Sequence, residues 1–176
     1  MRPDFKNQLS DAIETIDQLV PNSRDGLPEQ LFFLASRLVP MINVDLLIVN
    51  QKNEKLLTWR HDQFYGPGWH IPGGIVRFKE TIADRLSKVA FLEIGCAAQP
   101  IGDPLRITEI FNPERDIRGH FISHLFKVHL SGVPDVQRKA DITLPRPGDW
   151  AWFRSTPENL ISQHKRFSDL INDVRY

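Results

Sequence analysis

Apolar residues recur at helical spacing in the first forty residues. In the first segment the apolar positions are Phe5, Leu9, Ile13, Ile16 and Leu19 or Val20. Spacings of three and four residues predict a helix over 4–20, and the turn formers of 21–26 end it. Pro28 suits the first turn of a second helix, which ends before Pro40. The apolar side of that second helix comprises Leu31, Leu34, Ala35 and Leu38. Residues 1–40 are therefore predicted to form a helical hairpin that packs either on the remaining domain, 41–176, or on a second subunit.

Further along the chain the pattern favours strands. Strand candidates lie at 44–49, 55–60, 105–111, 121–130 and 150–153. The turn at 51–53 predicts that the first two strands pair as a hairpin. Segments starting at Pro157 and at Ser162 are predicted to be helical. The inward side of the last helix is predicted to comprise Phe167, Leu170, Ile171 and Val174.

Composition narrows the function classes. With 176 residues, 41% of them apolar, the chain is long enough for one globular domain with a small extension. Twenty-two basic and twenty-two acidic residues give no net charge, which argues against nucleic acid or a membrane surface as a partner. The single cysteine excludes an intrachain disulfide and fits a reducing compartment. The sequence has no apolar run of membrane-spanning length, and we expect a cytoplasmic protein.

A glycine turn followed by a helix carries the most specific motif. The residues that carry it are Gly74, Glu80, Ala90, Glu93, Gly95 and Cys96. Their spacing resembles the Nudix box of hydrolases that act on nucleoside diphosphate derivatives. Lys88 replaces the usual arginine, and Val89 and Leu92 stand where the box has two further glutamates. On a helix, Glu93 falls on the same face as Ile82, Leu86 and Val89, so one carboxylate continues an apolar stripe.

Within the superfamily, the chain is most similar to the GDP-mannose mannosyl hydrolases. The likeness rests on 44–49, 56–60, the loop 68–74 and a box that keeps only its final glutamate. It implies an α/β/α sandwich around a mixed sheet, and cleavage of the C–O bond at the anomeric carbon of a nucleoside diphosphate sugar. It also implies Mg²⁺, which Glu93 and a backbone carbonyl of the turn at Gly74 would bind. We expect a homodimer whose ligand is a nucleoside diphosphate-linked small molecule.

Several side chains are candidates for the chemistry. By resemblance, Arg60 lies near the diphosphate and Asp45 supports departure of the leaving group, although Arg60 would equally suit a solvent-facing strand end and Asp45 a paired structural acid. The Gln-His pair of the mannosyl hydrolases aligns with Arg146 and Pro147, neither of which is a base. His124 is the best replacement as the general base, with His120 second. Arg115 and Arg118, in the charged loop 112–118, are predicted to bind substrate.

Three functions fit these residues. The favoured one is a Mg²⁺-dependent hydrolase that cleaves the sugar C–O bond. The second is a pyrophosphatase that cleaves a P–O bond. The third is a nucleotide-binding domain with little or no turnover, since two ligand carboxylates and the aligned base are replaced.

Overall fold

Two β-sheets form the centre of the computed structural model, which describes residues 3–174. The strands are β1 (Met41–Ile48), β2 (Lys55–Arg60), β3 (Gly68–His70), β4 (Gly73–Ile75), β5 (Ala98–Pro100), β6 (Arg106–Phe111), β7 (His120–Leu130) and β8 (Trp150–Phe153). The helices are α1 (Pro3–Leu19), α2 (Glu29–Leu38), α3 (Ile82–Ile94) and α4 (Ser168–Asn172), with 3₁₀ turns at Ser23–Asp25, Val136–Arg138 and Ser162–Phe167.

The larger sheet is mixed, as expected. Its order is β4-β1-β7-β5, with β6 also on β7; β1 and β7 run parallel, and the other pairs are antiparallel. The smaller sheet has the order β3-β2-β8. One apolar cluster includes Val44, Phe126 and Val89 of α3, and the other includes Leu47, Leu125 and Phe167. Because side chains alternate along a strand, the two faces of β1 and β7 contribute to different clusters.

The predicted hairpin between the first two strands is wrong. β1 and β2 belong to different sheets, and a single bridge between Val49 and Lys55 is all that joins them as a pair within residues 3–174. The turn is present, but the chain leaves it to enter the second sheet, where β2 pairs with β3 and β8. By contrast, β6 and β7 are consecutive strands that do pair antiparallel, as two strands of a hairpin do.

The ends of α3 agree with the motif. The Thr81 side chain caps the first turn by accepting a hydrogen bond from the Asp84 amide, and Gly95 adopts a left-handed conformation at the other end, with φ 85°. Leu86 and Val89 are buried and Glu93 is partly buried on the same face, as the helical spacing predicts. The motif therefore fixes the helix that carries Glu93 behind the glycine turn.

The N-terminal helices differ in how they contact the rest of the chain. The apolar residues Phe5, Leu9 and Ile13 of α1 are about half exposed, at 49–51%. By contrast, α2 contacts the loop before β7, where the Ser36 hydroxyl accepts a hydrogen bond from the Arg118 amide at 3.1 Å. Leu38, predicted to face inward, is 71% exposed because it is the last residue of α2.

Two predictions for the C-terminal segment need correction. The segment from Pro157 forms a turn, and the helical structure starts only at Ser162. Phe167, Leu170 and Ile171 are buried as predicted, whereas Val174 lies beyond the end of α4 and is exposed. None of the helices in residues 3–174 is long and apolar enough to cross a membrane.

Candidate functional site

A cavity of about 510 Å³ is bounded by α2 and the turn before it, by the edge of the larger sheet and by the glycine turn. Its charged and titratable lining comprises Asp45, Arg60, His70, Arg77, Arg85, Arg118 and His164. Its apolar lining includes Leu27, Phe32, Ala35, Met41, Ile110 and Phe121. The volume falls within the range of pockets that enclose a small organic ligand.

Asp45 occupies the floor of this cavity. Its side chain is 1% exposed, and one oxygen, Oδ2, accepts a hydrogen bond from the hydroxyl of Ser123 on β7. Gly73 permits the approach, since a Cβ there would lie 2.3 Å from Asp45 Oδ1. Burial raises the pKa of Asp45 from 3.8 to about 6, although the Ser123 hydrogen bond opposes the rise. A carboxylate with that pKa can accept a proton near neutral pH.

His164 lies beside Asp45 on the 3₁₀ turn Ser162–Phe167. Its Nδ1 accepts a hydrogen bond from the Ile71 amide at 2.9 Å, so in the neutral ring the proton is on Nε2. Nε2 is 3.8 Å from Asp45 Oδ1. Burial, reinforced by the charges of His70 and Arg60, holds the pKa of His164 well below its usual value. His164 is therefore a neutral imidazole beside the Asp45 carboxylate, at a distance longer than a direct hydrogen bond.

Glu93 lies next to the glycine turn and is engaged by protein groups. Thr58 Oγ1 donates to Oε2 at 2.8 Å, and the Gly73 amide donates to Oε1 at 3.2 Å. His70 Nε2 is 3.4 Å from Oε2. Glu93 thus ties β2 and the turn before α3 together.

The residues around Glu93 do not fit a resident magnesium site. Mg²⁺ prefers carboxylate and other oxygen ligands in octahedral geometry. Along α3, Val89 is buried in the core and Leu92 is 63% exposed, and neither offers an oxygen ligand. Among the described residues there is no group of three or more potential His, Cys, Asp or Glu ligands. Gly74 does line the cavity, but Glu93 is not among the lining residues.

Four arginines give the cavity a cationic lining. Arg60, Arg77, Arg85 and Arg118 line it, and Asp45 is the one acidic residue in the lining. Arg60 pairs with Asp62, and Arg85 donates from Nε to Glu80 at 2.7 Å. Glu80, the first glutamate of the motif, also pairs with Lys88 at 2.9 Å. The motif glutamate thus orients an arginine of the cavity wall.

Aromatic rings hold the arginines at the opposite rim. The guanidinium carbon of Arg60 lies 4.9 Å from the Tyr65 ring centroid, and that of Arg115 lies 4.6 Å from it. Arg118 lies 4.8 Å from the Phe64 ring, and its Nε is buried without a hydrogen-bond partner among the described residues. Burial lowers the pKa of Arg118 from its ordinary value. Arg115 supports Tyr65 from outside the cavity lining.

His124 lies away from the cavity, contrary to the role predicted for it. In β7 it sits between Ser123 and Leu125 and pairs with Val44, so alternation directs it to the sheet face opposite Asp45. His120, the second choice, makes a hydrogen bond to Glu109 at 3.0 Å and does not line the cavity either. We therefore do not assign the general base to either histidine.

Two contributions to the site were missed in the sequence. Gln163 and His164 both line the cavity and form a Gln-His dipeptide. They lie seventeen and eighteen positions after Arg146, the position with which the Gln of the mannosyl hydrolases aligns. The dipeptide itself was a visible signal. The second contribution is α2 with the turn before it, because the apolar pattern of this segment predicts packing on the domain or on a second subunit and not a cavity wall.

Comparison with solved structures gives the fold. A MutT NUDIX hydrolase from Burkholderia pseudomallei matches 73% of this chain and 95% of its own, with 20% identity and a TM-score of 0.55. The MutT protein of Methanosarcina mazei matches 76% of this chain and 94% of its own, with 22% identity and a TM-score of 0.53. The chain has the Nudix fold. An ADP-ribose pyrophosphatase from Streptococcus suis also matches 76% of this chain and 87% of its own, with 15% identity and a TM-score of 0.51.

Sequence comparison matches a smaller part of the chain than the structural comparison does. No known protein-family model matches the chain. The low-salt glycan biosynthesis protein Agl8 of Haloferax volcanii is 32% identical over 96 residues. That match covers 52% of this Nudix-fold chain and 60% of the length of the relative.

Proposed function

We propose that the protein hydrolyses a nucleoside diphosphate sugar, or a related nucleoside diphosphate derivative, at the C–O bond of the anomeric carbon. The observation that carries the proposal is the arrangement of one cavity, with four arginines on its wall and the Asp45–His164 pair at its floor. The arginines can bind a polyanionic group such as a diphosphate, and the Asp45 carboxylate can accept a proton from a reacting water molecule. The similarity to a glycan biosynthesis protein supports a substrate that carries a sugar.

The arginines would hold the diphosphate. Guanidinium groups donate two parallel hydrogen bonds to phosphate oxygens, and Arg60 and Arg118 are already oriented by Tyr65 and Phe64. Arg85 is oriented by its ion pair with Glu80. When the C–O bond breaks, its electron pair goes to the diphosphate oxygen. Donors that are already in place stabilise that growing charge without reorganisation.

Asp45 would act as the base in the proposed reaction. A water molecule loses a proton to the Asp45 carboxylate while its oxygen forms a bond to the anomeric carbon, and the diphosphate leaves from that carbon. His164, neutral and with its Nε2 3.8 Å from Asp45 Oδ1, would orient the attacking water together with the carboxylate. The products are the free sugar and a nucleoside diphosphate, and the proton is released from Asp45 to solvent.

The proposal assigns no step to a metal ion, because the residues around Glu93 do not fit one. Mg²⁺ dependence, implied by the resemblance, therefore remains to be tested as an outcome of its own. Cleavage of a P–O bond, as in a pyrophosphatase, is the second candidate. It is favoured only by the fold, which the chain has in common with an ADP-ribose pyrophosphatase.

We also propose that α1 pairs with α1 of a second copy to form a homodimer. A lone helix of this length is marginal in water, and its apolar stripe includes Leu9 and Ile13, which are half exposed. An antiparallel pair related by a two-fold axis would cover the apolar stripes of both copies.

The deciding experiment is hydrolysis in H₂¹⁸O. The full-length protein is incubated with a panel of nucleoside diphosphate sugars that includes GDP-mannose, in parallel with Mg²⁺ and with EDTA. We expect turnover in both, with ¹⁸O in the sugar. Label in phosphate would instead establish P–O cleavage. Turnover only with Mg²⁺ would show that the arginines do not suffice, and binding without turnover would leave a nucleotide-binding domain.

A further inference from the structure

Helix α2 and the turn before it contribute a wall of the cavity. Leu27 and the α2 residues Phe32 and Ala35 line it, as do Ser23 and Gly26 of the preceding turn. A helix that merely stabilised the domain would not need to face the ligand space. Because this wall comes from outside the Nudix motif, nothing in the motif predicts what it binds.

Contacts from the turn and from α2 hold this wall beside the arginines. In the turn, the Arg24 carbonyl accepts a hydrogen bond from Arg77 Nη1 at 3.2 Å. In α2, the Phe33 ring packs edge-on to Phe64 at 5.6 Å, and the Phe32 ring lies 5.5 Å from the guanidinium carbon of Arg118. The Ser36 hydroxyl accepts a hydrogen bond from the Arg118 amide. The wall and the anion-binding side chains are therefore positioned together.

We infer that this wall is the subsite for the aromatic base of the ligand, an inference that rests on the proposed function. A nucleoside diphosphate sugar has three parts, and the arginines suit only the charged one. A sugar rich in hydroxyls would leave polar groups unpaired against Leu27, Phe32, Ala35, Ile110 and Phe121. A flat heterocycle buries apolar faces there and keeps its polar atoms at its edge. The sugar then faces Asp45 and His164.

Calorimetric titration of the full-length protein tests the inference. The probes are ADP, GDP, CDP, UDP and inorganic pyrophosphate, which has the charged part without a base. Ala35→Leu places extra methyl groups in the wall while keeping good helix propensity. We expect it to weaken the best-bound nucleoside diphosphate by about tenfold or more, the scale set by methylene-sized changes in a pocket. Pyrophosphate affinity should stay within about twofold.

Two further variants make the result interpretable. Gln30→Leu introduces the same residue at an exposed position of α2 and should leave both affinities unchanged. Leu27→Ala removes wall surface instead of adding it, at a residue that does not contact an arginine of the site, and should also weaken nucleoside diphosphate but not pyrophosphate. The base subsite lies elsewhere if both wall variants bind nucleoside diphosphates like the wild type, or if they weaken pyrophosphate equally. Arg60→Ala separates the two proposals, because unchanged pyrophosphate affinity in that variant refutes the arginine site, not the wall.

Discussion

Replacing Asp45 with asparagine removes an ionisable group from the floor of the cavity while keeping its shape. The pKa of Asp45 is raised from its ordinary 3.8 to about 6, because burial disfavours the charged form. At about 1.4 kcal/mol per pKa unit, the difference corresponds to about 3 kcal/mol of folding free energy. The folded state binds the Asp45 proton more tightly than the unfolded state. The protonated Asp45 therefore contributes its full stabilisation of the folded state below about pH 4, and that contribution is lost as the pH rises through about 6.

Urea unfolding of both proteins at several pH values between about 4 and 7 measures this effect. Asparagine does not titrate, so the stability of the variant relative to the wild type should rise across this range by most of that amount, about 2.4 kcal/mol. The difference between the two proteins is the informative quantity. His164 has a lowered pKa and contributes the opposite slope to both, since its protonation favours the unfolded state at low pH.

The same substitution at the exposed Asp103 is the control and should not reproduce the pH-dependent difference. Parallel stability curves for the wild type and Asp45→Asn over the whole range would show that Asp45 is not held in the environment described. Catalysis gives a second, separate measurement. If Asp45 is the base, kcat/KM of the wild type falls below about pH 6, and Asp45→Asn loses about 10²-fold or more at neutral pH.

Four other substitutions test the remaining assignments. Arg60→Ala removes a charge-assisted donor to the leaving diphosphate, so we expect kcat/KM to fall by an amount equivalent to about 2 kcal/mol of transition-state stabilisation. An unchanged kcat/KM in steady-state kinetics would contradict this. His124→Gln should leave kcat/KM within about twofold, because that side chain faces away from the cavity, and a larger loss in the same assay would restore it as a base candidate. Glu93→Gln should lower the free energy of unfolding in urea by about 1–2 kcal/mol, because an amide has one acceptor oxygen for the Thr58 hydroxyl and the Gly73 amide. Loss of Mg²⁺ affinity with unchanged stability would instead make Glu93 a metal ligand. Ile13→Lys should convert a dimer to a monomer in sedimentation equilibrium, whereas Thr15→Lys on the opposite side of α1 should not, and a monomeric wild type would refute the pairing.

The sequence by itself was sufficient for the local elements whose signals are local. Helical spacing and the cap residues Thr81 and Gly95 determine α3, and they place Glu93 behind the glycine turn. Alternating strands and the motif spacing indicated the Nudix fold, which the solved structures support. Asp45 and Arg60 were also identified from sequence, and both line the cavity.

Only the tertiary structure decided which side chains meet. His124 and Ser123 are neighbours in sequence, but the strand alternation sends them to opposite sheet faces, so Ser123 reaches Asp45 and His124 does not. His164 reaches Asp45 from 119 positions away, because its turn packs on the backbone at Ile71. The cavity wall formed by α2 could not be predicted either, since an apolar stripe has the same spacing whether it faces a core, a partner or a ligand. Which of these it faces depends on contacts between distant segments, and those exist only once the chain has folded.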